Sequence, residues 1–145
     1  MAKLETIGIY LAIHDAEDRS HIEDQLVLDG VDVSSFASAQ DLWDHFQARP
    51  VRFVITDRRF EKTLNGLELV SKIRKYYQLP YIYVLMRSRL AQLKEIREGL
   101  EAGVDDYLVR PHNAFQIRSR VLVGLRWLTY IDSITWKNNA GAAGK

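Results

Sequence analysis

The chain has 145 residues, with 20 Lys and Arg against 19 Asp and Glu and a formal charge of +1, so no broad polybasic or polyacidic surface organises it. It contains no cysteine, which excludes disulfides, thiolate nucleophiles and cysteine metal sites. That length buries one core, and with no apolar run of membrane-spanning length and no signal-peptide core in MAKLETIG, the expected location is cytoplasmic.

Ile7–Ile13 (IGIYLAI) is a continuous apolar run of strand length that ends in the polar stretch His14-Asp15-Ala16-Glu17-Asp18. From Asp18 to Asp29, Ile22 and Leu26 make a helical stripe stopped by Gly30. Val31–Phe36 reads as a second strand. Ser38 then caps a helix through Leu42, Trp43 and Phe46, which ends before Pro50. Val51–Asp57 (VRFVITD) follows, a third strand of β-branched and aromatic residues closing on a carboxylate, as a buried central strand would deliver an acid to the rim of a sheet.

Arg58–Asn65 is polar and irregular, and Asn65-Gly66 turns into a helix carrying Leu67, Leu69, Val70 and Ile73. Pro80 opens a fourth strand, Tyr81–Met86. Leu90–Ala102 is helical by the spacing of Leu93, Ile96 and Leu100, and Gly103 ends it. Tyr107–Val109 is a short fifth strand before Arg110-Pro111. A last helix starts near Ala114, with Ile117, Val121, Leu125 and Leu128 toward the core.

Five alternations of strand and helix imply an α/β fold, a doubly wound parallel sheet with helices on both faces; the flavodoxin-like order 2-1-3-4-5 brings the ends of strands one and three together. His14, Asp15 and Asp57 would then meet. The expected division is one domain over residues 1–136 with an extended C-terminal helix and a disordered tail over 137–145, which contains the low-complexity run NNAGAAGK.

Five stretches of this sequence resemble the receiver domain of response regulators in two-component signalling: HDAED after strand one, VITD closing strand three, Asn65-Gly66-Leu67-Glu68-Leu69, YIYVLMRS, and EGLEAGVDDYLVRP. The resemblance runs from about Ile7 to Leu128. It implies a signalling module rather than an enzyme, with at most self-phosphorylation and dephosphorylation, that accepts a phosphoryl group on Asp57 from a histidine kinase or another phosphodonor. It further implies Mg²⁺ held by Asp57, Asp15, the carbonyl of Arg59 and the position of His14. Ser88 is the implied hydroxyl that senses the phosphoryl group, Tyr107 the aromatic that rotates with it, and Arg110 stands where the family has a phosphate-pairing lysine.

Two of those places carry unusual residues. His14 replaces an acid and offers nitrogen to a hard cation, which points to weak or absent Mg²⁺; with Asp15 and Asp57 it suits Zn²⁺, Mn²⁺ or Ni²⁺ better. Arg110 replaces a point charge with a planar fork able to grip Asp57 bidentately. The expectation is therefore an atypical receiver with reduced phosphorylation, or a pseudo-receiver that serves as a docking or dimerisation module. A small phosphatase or nucleotide-binding enzyme on the same sheet is a weaker alternative, because no glycine-rich phosphate loop follows the first strand.

Each of these residues has a plain structural reading as well. Asp57 pairs with Arg110, Asp15 caps a helix, Ser88 caps the helix near Leu90, and Tyr107 is packed aromatic area. His21, His45 and His112 show no ligand spacing. The apolar pattern continues through Ile131 and Ile134 to Trp136, more than one core needs, so the fourth helix, fifth strand and fifth helix are expected to meet a second copy or an output domain, with Trp136 buried there. The run RVLVGLRWL leading into a further helix resembles receivers that precede a diguanylate cyclase or similar output. No direct nucleic-acid or membrane contact is expected.

Overall fold

The computed structural model describes residues 7–89 and 92–143, with side chains through Thr135. Five strands, β1 (Ile9–Ala12), β2 (Val33–Phe36), β3 (Phe53–Asp57), β4 (Tyr83–Ser88) and β5 (Asp106–Val109), alternate with five helices. These are α1 (Ala16–Leu28), α2 (Ala39–Ala48), α3 (Gly66–Tyr76), α4 (Leu93–Ala102) and α5 (Ala114–Ala143). The strands form one parallel sheet in the order β2-β1-β3-β4-β5. This is the flavodoxin-like arrangement expected from the alternation.

Successive residues of a strand face opposite sides of the sheet, and here both sides are covered. Ile9, Leu11, Phe53, Ile55, Tyr83 and Leu85 pack with Ile22 and Leu26 of α1 and with Ile117, Val121, Leu125 and Leu128 of α5. Tyr10, Val54, Val84 and Met86 pack with Leu42, Trp43 and Phe46 of α2 and with Leu69, Val70 and Ile73 of α3. All of β1, β3 and β4 is buried, which is why their sequences are nearly unbroken apolar runs.

Several boundaries differ from the sequence reading, the strands mostly by one or two residues at an end, and three of the differences bear on the site or the C-terminus. Helix α1 begins at Ala16, two residues before Asp18, because Asp15 caps it as its structural reading has it, accepting a hydrogen bond from the Asp18 amide at 2.9 Å. Strand β4 spans Tyr83–Ser88, not Tyr81–Met86: the ladder starts where the Tyr83 amide donates to the Arg52 carbonyl, and so Arg87 and Ser88 lie inside the sheet. Helix α5 is described to Ala143, so it takes in residues 137–143 of the expected tail, and alanine at three of those positions suits a helix. The burial expected for Trp136, and the helical start expected at Leu90, fall outside the described residues.

Candidate functional site

Asp57 closes β3 at the carboxyl end of the sheet, level with Arg87 of β4 in the parallel register. That register decides the site. Both residues are buried, Asp57 at 8% and Arg87 at 3% of full exposure, and the guanidinium grips the carboxylate from two sides, Nε to Oδ1 at 2.5 Å and Nη2 to Oδ2 at 3.2 Å. The backbone amide of His14, just past β1, donates to Oδ2 as well, at 2.9 Å. Behind the acid, Gly66 at the start of α3 packs so close to the Asp57 carbonyl that a Cβ there would overlap it, and its amide donates to the Arg58 carbonyl at 2.9 Å.

The third arm of Arg87, Nη1, donates to Oδ2 of Asp18 in the first turn of α1 at 2.9 Å. Arg110, after β5, donates to the same oxygen at 3.1 Å. Burial works against the charge on Arg87, but the hydrogen bonds and charges of Asp57 and Asp18 outweigh it and hold the guanidinium protonated. In turn the hydrogen bond from Arg87 keeps Asp18 below the usual carboxylate range.

The guanidinium expected on Asp57 therefore comes from Arg87, and Arg110 reaches Asp18 instead. Neither Arg87 nor Asp18 was singled out from the sequence. A signal was present: an arginine interrupts an otherwise apolar strand, and aligning VITD with VLMR end to end sets it beside the aspartate.

Of the remaining candidates, His14, Asp15, Arg59 and Ser88 line a cleft of about 900 Å³ at this end of the sheet. Asp15 is exposed and caps α1. The His14 imidazole stands edge-on to Phe60, ring centroids 6.4 Å apart, and the hydrogen bond between His14 and Asp57 is made by the His14 backbone amide. Ser88 ends β4, one residue past the level of Asp57, and its hydroxyl donates to Glu95 at 3.5 Å; the cap position of α4 is taken by Gln92. Tyr107 is buried, its hydroxyl donating to the carbonyls of Glu95 at 3.2 Å and Ile96 at 3.4 Å. Arg58 and Arg59, directly after Asp57, both turn to α4: Arg58 pairs with Glu98 at 2.7 Å and Arg59 with Glu95 at 3.0 Å. His21 and His112 border a second cavity, and His45 packs edge-on to Tyr10.

A family model for the response regulator receiver domain matches residues 11–122. The chain belongs to that family. Receiver domains are signalling modules that work with histidine kinases and output domains, and they generally hold Mg²⁺ beside the phosphorylation site. Among curated proteins this receiver is 28% identical over 130 residues to "Probable transcriptional regulator ycf27" of Porphyridium aerugineum, covering 90% of this chain and 51% of the relative. It is 29% identical over 92 residues to "Chemotaxis protein CheY-3" of Vibrio cholerae, covering 59% of this chain and 70% of the relative. The chain spans about half the length of the ycf27 relatives it matches.

Solved structures share the fold. Vibrio cholerae chemotaxis protein CheY4 superposes with a TM-score of 0.75 at 20% identity, over 82% of this receiver and 99% of that chain. A probable two-component system response regulator/GGDEF domain protein gives 0.79 at 20% identity, over 86% and 51%.

The donor set of this receiver does not fit Mg²⁺. Both Asp57 oxygens are engaged by Arg87 and His14, Asp18 is held by two arginines, and Asp15 is turned into its own helix. No group of three or more His, Cys, Asp or Glu side chains able to hold a metal ion forms among the described residues. A cation placed on Asp57 would lie against a buried guanidinium of like charge. No described helix is long and apolar enough to cross a membrane.

Proposed function

We propose that this chain is a pseudo-receiver, a signalling module whose output does not depend on phosphorylation of Asp57. The observation that carries this reading is the two-pronged hold of Arg87 on the Asp57 carboxylate. A phosphoryl acceptor must present an oxygen lone pair in line with phosphorus, beside a cation that offsets the approach of two anions. Here the lone pairs already accept hydrogen bonds. Breaking a buried ion pair costs roughly 3–5 kcal/mol. Expressed wholly in the barrier, that slows transfer by about 10²–10⁴-fold.

The face made by α4, β5 and α5 is then a fixed docking surface. Two features support this. Arg58 and Arg59 clamp α4, and Tyr107 is tucked beneath it. On α5, Val123, Trp127, Tyr130 and Ile134 are exposed at spacings of four, three and four, the seam of a helix that pairs with another helix, while Val121, Leu125 and Leu128 face the core. The occupant we propose is a second copy of the chain, arranged to present whatever output domain it serves. Output domains accompany receivers in relatives described as a transcriptional regulator and a response regulator/GGDEF domain protein.

Intact-mass analysis after acetyl phosphate with Mg²⁺, on the wild type and Asp57→Asn, tests the first part. The expected result is no phosphoryl adduct on either protein; rapid labelling lost in Asp57→Asn overturns it. Sedimentation tests the second part. A dimer that Trp127→Ala dissociates, with or without phosphodonor, is expected, and a monomer at all accessible concentrations refutes it.

A further inference from the structure

The Asp57 and Asp18 carboxylates come from different elements, the end of β3 and the first turn of α1, yet both meet the same planar group. Asp57 is buried and Asp18 half-buried, so the two like charges are only partly screened, and they repel unless a cation stands between them. Arg87 stands there. Its Nε and Nη2 face Asp57 and its Nη1 faces Asp18, so three donors in a rigid fork join two anions from one buried position. Arg110 adds a second positive group to Asp18 from the outer side, so two arginines neutralise the two acids.

We infer that the Arg87 guanidinium is the resident cation of this site and does the bridging that a divalent metal ion would otherwise do. The inference rests on the pseudo-receiver reading and names its physical cause. The carboxylate pair is kept in place without metal, and removing the guanidinium alone leaves the three oxygens it held, from two carboxylates, around the vacated space. Asp15, one turn before Asp18 on the helix, lies at the same corner. Carboxylate oxygens around a small space suit Mg²⁺ or Mn²⁺, and a threonine in place of Arg87 adds a further oxygen without filling it.

The test uses the full chain as wild type, Arg87→Thr, Arg87→Lys and Arg87→Thr/Asp57→Asn. Melting is followed in EDTA and in millimolar MgCl₂, and Mn²⁺ binding by electron paramagnetic resonance. Wild type is expected to melt at the same temperature in both and to bind no Mn²⁺ at the site. Arg87→Thr should melt lower in EDTA, recover much of the loss with Mg²⁺, and bind Mn²⁺ at least about ten-fold tighter than wild type. Adding Asp57→Asn should abolish that gain. Arg87→Lys keeps the charge but gathers its three donors on one nitrogen and cannot span the two carboxylates as the planar fork does, so it should melt lower without responding to metal. Wild type binding Mn²⁺ as well as Arg87→Thr does, or a folded Arg87→Thr indifferent to metal, overturns the inference.

Should Arg87→Thr fail to fold in either buffer, the wild-type guanidinium N–H spectrum decides. The Arg87 Nε–H resonance should be slow to exchange and unmoved by millimolar Mg²⁺, and its displacement by Mg²⁺ defeats the inference. Phosphodonor labelling is read separately. A labelled wild type defeats the pseudo-receiver reading while the metal titrations still report on Arg87; an unlabelled wild type with an indifferent Arg87→Thr defeats only the bridging role.

Discussion

Tyr107 of β5 lies over Gly99 of α4 so closely that a Cβ on the glycine would overlap the phenolic oxygen. The ring occupies the space a side chain would take, and its hydroxyl finishes the contact by donating to the carbonyls of Glu95 and Ile96. Burial pushes the Tyr107 phenol above its ordinary pKa, with Arg58 pulling the other way. Gly99→Ala should therefore expel the ring. Helix propensity gains about 1 kcal/mol from the change, and overpacking costs about 1–3 kcal/mol, so a net loss of up to about 2 kcal/mol is expected in urea unfolding. A more specific readout is the ultraviolet titration of Tyr107, isolated by difference against Tyr107→Phe. In Gly99→Ala it should move down toward the ordinary phenol value; an unmoved titration would mean that the ring stays in place.

The architecture was readable because each strand announces itself. Runs such as IGIYLAI and VRFVITD are apolar on both faces, which only a sheet covered twice requires, and the alternation with helices leaves few topologies. Asp57 was readable for the same reason, a lone acid closing such a run. Its partner was harder to find. Tyr81 and Ile82 continue the apolar pattern of β4 although the strand begins at Tyr83, so counting from the first apolar residue ended it before Arg87. The length and direction of Arg110 cannot be read from spacing either, and it meets Asp18 rather than Asp57. Asp18 looked like one acid among several on a polar turn. Composition alone does not separate a tail from a helix at the C-terminus, since alanine that looks low in complexity also suits a helix.

Asp15 separates a structural role from a metal-binding one. Its carboxylate accepts from the Asp18 amide and satisfies an otherwise open donor at the start of α1, and Asp18 is the residue that meets Arg87. Asp15→Ala should cost about 1 kcal/mol, whereas Asp15→Ser, which keeps a capping oxygen, should cost only a few tenths. Chemical denaturation of the two variants in EDTA compares them directly. Equal losses in both would count against the cap and leave the charge of Asp15 as what matters.

His112 is placed to give the fold a pH dependence near neutrality. Both ring nitrogens are shielded from solvent and lack a hydrogen-bond partner among the described residues. Burial lowers the imidazole pKa first, and Arg87 and Arg110 lower it further against the opposing pull of Asp18 and Asp57. The folded state thus keeps His112 neutral where an unfolded chain would protonate it. Stability is fully present above the unfolded value near ~6.5 and is lost as pH falls from there through the lower folded value, because the unfolded state binds the proton that the folded state refuses. The urea midpoint of the wild type should therefore decline between neutral pH and about 5.5 more steeply than that of His112→Gln, which has no proton to refuse. Parallel declines in the two proteins would assign the pH dependence to other groups and remove His112 from the account.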